Sequence, residues 1–209
     1  MKEFIKGEVV NPYDKTVYGV GYIGEGKYNT RKDGKDAPQY TTWKNMLQRC
    51  YRIKYHQKYP TYTDCAVSEE WYNFQNFATW YDNNYYEVEG ERMCLDKDIL
   101  NKHNKIYSPD NCIFVPQSIN LLFVKNDAIR GDLPIGVNFH KARNNYMARC
   151  KNRNRKTIYI GSFNDPIRAF QAYKMCKEEL IKQTALEYKD KIPKDLYNAM
   201  MEYKVEITD

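Results

Sequence analysis

The chain has 209 residues, 42% of them apolar, and a formal charge of +6. That much apolar side chain can build a folded core, so global disorder is excluded, and no apolar run is long enough to cross a bilayer. The length allows one large domain or two small ones. Six scattered cysteines without a CxxC pair argue against a zinc ribbon and fit reduced thiols in a cytoplasm, with no secretory signal expected. The charge is uneven: residues 131–185 hold eleven Lys or Arg against four Asp or Glu, whereas residues 62–98 hold two against nine. The first stretch is a candidate footprint for a polyanion, the second a candidate cation site.

In chain order, the Gly-rich start places an alternating strand at 17–24 and a basic turn or arm at 24–35. Residues 39–58 form an expected helix, with Trp43, Met46, Leu47 and Cys50 on one face and Thr41 or Thr42 as its cap. Residues 68–82 form a second, capped by Ser68, with Trp71, Phe74, Phe77, Ala78 and Tyr81 buried. The order then becomes strand (ERMCLDKDIL), polar loop (NKHNKIYSPDN), strand (CIFVP) and helix (QSINLLF), with a linker at 124–134. Three alternating strands are expected at 135–143, 146–152 and 157–163, turned by Asn144-Asn145 and by 152–155. A helix over 166–184, capped by Asn164 or Asp165, and a short one over 194–203 complete the chain. Ile135, Val137, Phe139, Met147, Ile158, Ile160 and Phe163 are expected on the helix side of the sheet.

Residues 141–156, KARNNYMARCKNRNRK, carry seven Lys or Arg and no acid on what reads as a β-ribbon. Such a ribbon can face a phosphate backbone or enter a DNA groove, and a plain solvated basic surface is the alternative. Alternation turns Asn138, His140, Arg143, Arg149, Lys151, Arg155 and Tyr159 outward. Arg suits guanine and Asn suits adenine, while Lys151 and the turn residues Arg153 and Lys156 suit phosphate. In the middle of the chain, Asp96, Asp98, Asn111 and Asn120 stand at the turns of the strand–loop–strand–helix unit. Hard oxygen donors of this kind suit Mg²⁺, although Asp and Asn are also ordinary turn residues.

The stretches WKNMLQRCY (43–51), EEWxNFxNFxxW (69–80) and LDKDIL…NK…YSPDNCIFVP…IN (95–120) resemble HNH-type endonucleases carried by bacteriophages. The stretch GVNF…YMAR…YIGSFND…AFxAY (136–173) resembles the APETALA2-type DNA-binding domain often joined to them. The resemblance covers about residues 15–185. It implies an α+β fold: an HNH-like ββα-metal module with flanking helices over 1–125, a three-stranded antiparallel sheet on one helix over 133–185, and a helical tail over 186–209. It implies Asp96 and Asn120 as ligands for Mg²⁺ and Asn111 as a brace for the loop. The family's general-base His position is Lys97, and His103 in the loop is the other candidate for that role.

Two functional expectations follow. One is a phage-type DNA-binding protein that nicks or cuts double-stranded DNA. The other is a catalytically degenerate binder, acting as a regulator or against a host defence nucleoprotein in the bacterial cytoplasm. An RNA partner is a third, since the tyrosines could stack on bases.

Overall fold

The computed structural model of the chain describes residues 11–124 and 131–209. Most of the expected linker, 125–130, lies outside them. The protein is mixed α+β, and its residues gather into two compact units. The first comprises the described residues up to Tyr86 together with Asn101–Ile113; the second comprises Glu87–Leu100 with the described part of Phe114–Asp209.

The first unit is built on two helices. A small β1–β2 hairpin (Arg31–Lys32, Lys35–Asp36) precedes α1 (Pro38–Tyr51). Pro38 opens that helix behind Ala37, so its start lies before Thr41 and Thr42. Proline suits this place because the first helical N–H needs no partner. The helix stops at Arg52, whose backbone is extended, and α2 (Ile53–Lys58) begins anew. The single helix expected over 39–58 is therefore two. A 3₁₀ turn over Glu69–Tyr72 separates Ser68 from α3 (Phe74–Asn84), and Asn73 caps α3 by accepting from Gln75 N–H. Trp43, Leu47, Trp71, Phe74 and Phe77 are wholly buried, and the Trp43 indole N–H donates to the Trp71 carbonyl at 2.6 Å. Residues 17–24 form isolated bridges (Val17 with Gly21, Tyr22 with Asn73) instead of a strand. Two short strands, β3 (Ala66–Val67) and β5 (Ile106–Tyr107), pair in parallel.

In the second unit β4 (Met93–Asp96) pairs with β6 (Ile113–Pro116), and α4 (Gln117–Phe123) follows β6 directly and packs on β4. The antiparallel sheet β7 (Val137–His140), β8 (Asn145–Lys151), β9 (Thr157–Phe163) lies on the long helix α5 (Pro166–Tyr188). Asp165 caps α5 by accepting from Arg168 N–H at 2.8 Å. The core joins Val137, Ala148 and Cys150 of the sheet to Ala169, Phe170 and Tyr173 of α5 and to Val205 of the tail. Helix α6 (Lys194–Glu202) also packs on α5. Gly136 enters β7 with φ +78°, and a Cβ there would lie 2.1 Å from the Tyr173 ring, so this position admits only glycine without displacement.

Candidate nucleic-acid interface

The sheet's register decides which side chains face outward. Directly opposed residues in an antiparallel pair share a face. Val137 opposes Ala148, and both are buried against α5. Asn138 opposes Met147, and His140 opposes Asn145, so these four take the other face. On the far edge Arg149 opposes Tyr159, Lys151 opposes Thr157 and Met147 opposes Ser162.

A bulge makes this possible. Pairing steps from Ala148–Gly161 to Arg149–Tyr159, leaving Ile160 unopposed. The extra residue shifts the alternation of β9, so Ile160 packs into the core while Tyr159 stays outside. Two of the expected core residues are placed differently. Met147 shares the outer face with Arg149, whose guanidinium lies 3.5 Å from the Met147 sulfur. Phe139 keeps the inner register but is 43% exposed at the sheet's end, against Tyr146.

The outer face thus brings together Asn138, His140, Arg149, Lys151 and Tyr159, five of the seven residues expected to face outward. The Tyr159 hydroxyl is 2.8 Å from that of Ser162, which steadies its ring beside Arg149. Arg143 and Arg155 are exposed in the two turns. The first turn is shaped by Asn144 in the left-handed region and by His140 Nδ1, which accepts from Arg143 N–H. In the second, Asn152 Oδ1 accepts from the N–H of Asn154 and of Lys156, and Arg155 is held at φ +60°. Lys141, Arg143, Arg149, Lys151, Arg155 and Lys156 form no ion pair among the described residues.

Arg153 is the exception. Its guanidinium pairs with Glu187 near the end of α5 and lies 5.8 Å from the Tyr188 ring centre. Its partners lie on the helix side of the sheet. Tyr188 and Ser118 both donate to Glu91 Oε1. Burial favours the neutral Glu91 carboxyl, but the hydrogen bonds from Ser118 and Tyr188, with Arg153 nearby, outweigh it and hold the group below its ordinary value. Sequence alone offered no sign of this network, whose members span residues 91 to 188.

The second candidate site is the turn after β4. Asp96 Oδ1 accepts from the N–H of Asp98 at 2.9 Å and of Ile99 at 2.8 Å. Burial first, and then the charge of Asp98, push its carboxyl up to about 6, with those N–H groups and Lys97 acting in the opposite direction. Lys97 is buried, and its Nζ lies 2.9 Å from Asp98 Oδ2. An amine engaged in this way acts as a donor. Asn120 is half-buried on α4. A half-buried carboxylate with an uncompensated cost of ionisation, next to a second acid, suits a hard divalent cation by its chemistry. The remaining two candidates, His103 and Asn111, belong to the first unit. His103 is exposed with φ +66°, and Asn111 Oδ1 accepts from the Asn101 amide at 2.8 Å, a brace across its loop.

No helix among the described residues is long and apolar enough to cross a membrane. No known protein family, curated protein or solved structure matches the chain.

Proposed function

We propose that the protein binds double-stranded DNA through the outer face of the β7–β9 sheet. The observation that carries this reading is an antiparallel sheet face with an exposed Arg, Lys, Asn and Tyr, in a segment (133–164) that contains no carboxylate. Arg149 and Asn138 would meet base edges, Tyr159 would pack against sugar or base, and Lys151, Arg143 and Arg155 would meet phosphate. Arg153 has no part in this, because its charge is already compensated by Glu187.

The unit β4–β6–α4 is read as an HNH-like ββα element, in keeping with the phage-endonuclease resemblance of residues 95–120. Asp96 and Asn120 would hold Mg²⁺, which would supply charge neutralisation at a phosphodiester oxygen. Asn111 would brace the loop. Lys97 is engaged by Asp98, which leaves it a poor general base.

The Lys97–Asp98 ion pair also favours a second reading: a degenerate nuclease element that binds DNA without cutting it. Incubating the purified chain with duplex DNA in Mg²⁺ or EDTA separates the two. Mg²⁺-dependent nicks that disappear in Asp96→Ala establish cleavage. A retarded but intact duplex supports the binder. Neither nicks nor retardation, in protein that is folded, removes the DNA reading.

A further inference from the structure

The first unit carries a cationic surface of its own. From Ala37 to Thr63 the chain contains no Asp or Glu, yet it holds Lys44, Arg49, Arg52, Lys54 and Lys58. Three of these, Arg52, Lys54 and Lys58, cluster on and beside α2, are exposed, and form no ion pair among the described residues. The same short stretch gathers tyrosines. The Tyr55 ring centre lies 4.7 Å from that of Tyr59 and 5.8 Å from that of Tyr62. Lys58 Nζ stands 5.2 Å from the centre of the Tyr59 ring, and the Arg49 guanidinium 5.9 Å from that of Tyr62. Tyr59 is 40% exposed and Ile53 is 76% exposed, so apolar and aromatic surface lies open among the charges.

The platform is anchored from beneath. His56 Nε2 bonds the Arg49 carbonyl at 2.8 Å, which ties α2 to α1, and the Tyr107 hydroxyl lies 3.5 Å from the Arg49 guanidinium, which ties α1 to β5. Tyr55 and Tyr59, four residues apart along α2 and its C-cap, lie on one surface.

We infer that α2 and the turn after it form a second nucleic-acid site, one that takes an unpaired strand. Aromatic faces stack on bases whatever their identity, and cations alongside follow the phosphates; the combination recurs wherever single strands are held. In a duplex the base faces are already stacked on each other, so the exposed Tyr59, backed by the half-buried Tyr55, suits an unpaired segment, whether DNA or RNA. The inference stands apart from the sheet and from any cleavage chemistry.

The test uses the full chain and labelled oligo-dT and oligo-U, read by fluorescence anisotropy. Tyr55→Leu with Tyr59→Leu should weaken binding to either strand at least about fivefold, the loss expected for one base stack, and the Phe variants should restore it. Lys54→Gln with Lys58→Gln should lower the salt slope by about one to two. Arg149→Gln with Lys151→Gln should leave single-strand binding intact, which separates this site from the sheet. The tighter of the two strands identifies the sugar. Should the Leu variant fail to fold, photocrosslinking of iodouracil-substituted strands to the native chain gives an independent reading: adducts within 52–62 support the site. Unchanged affinity in the folded Leu variant, adducts confined to the sheet, or competition by heparin with no dependence on the tyrosines would each overturn it.

Discussion

The outer face of the β7–β9 sheet and the turn after β4 are both dense in charge, and they treat it in opposite ways. On the sheet, cations stand unpaired in solvent. At the turn, Lys97 is paired with Asp98, and Asp96 is fastened by two backbone N–H groups. One hairpin shows the same contrast in miniature: Arg149 points outward between the Met147 thioether and Tyr159, neither of them charged, whereas Arg153, four residues on, pairs with Glu187. Compensated charge mainly serves the fold, and charge left open to solvent is available to a partner. Residue type alone does not separate them; register does.

The largest expected effect breaks the sheet's support. Gly136→Ala forces a Cβ onto the Tyr173 ring and leaves φ at +78°, so unfolding should cost about 2–4 kcal/mol less, measured by urea denaturation. If stability is unchanged, β7 does not lie over α5 as described.

Next is the turn after β4. The Asp96 carboxyl titrates higher in the fold, about 6, than its ordinary 3.8, so the fold prefers it neutral. Its contribution is present below about pH 4 and is lost as pH rises through about 6. Asp96→Asn keeps an Oδ1 for both backbone N–H groups and removes the ionisation. In EDTA it should stabilise the protein at pH 7.5 by up to about 2 kcal/mol, a gain that vanishes near pH 4. A gain independent of pH would point to some other cause.

Arg149→Ala with Lys151→Ala sharpens the contrast from the open side. Duplex affinity should fall about tenfold and the salt slope by about two, with stability within about 0.5 kcal/mol of the parent. Arg153→Ala is the opposite and the smallest case. Its half-exposed ion pair should cost about 0.5–1 kcal/mol of stability and leave the duplex salt slope unchanged. If instead Arg153→Ala lowers the slope as Arg149→Ala does, open and compensated charge are not distinguished here.

The second unit was the more legible in sequence. Period-two patterning and the Asn-rich turns marked β7, β8 and β9, and Asp165-Pro166 marked the start of α5. Ile158, Ile160 and Phe163 lie inside and Tyr159 outside as expected, but the bulge at Ile160 that permits this carried no mark in the sequence. Met147 is a different case, since it lies in phase with Arg149 and Lys151 on one strand and so had to share their face. In the first unit the aromatic faces of α1 and α3 were visible. The break at Arg52 was not, because IKYHQK is itself helix-competent. The pairing of Ala66 with Ile106 joins segments forty residues apart that carry no alternation. Asp96 was legible as a candidate by type and place. Its raised carboxyl and the Lys97–Asp98 pair depend on how the turn folds back, which residue type does not specify.

The bulge at Ile160 also sets the terms on which this surface can diversify. Replacing Arg149, Tyr159 or Asn138 changes what the sheet displays and leaves the core untouched. Removing Ile160 itself would leave a regular ladder, with Tyr159 still opposite Arg149 and Ile158 opposite Cys150, and would take one apolar side chain from the core. The specificity of the surface is thus open to point substitution, and the bulge is where β9 carries a residue that its ladder does not need.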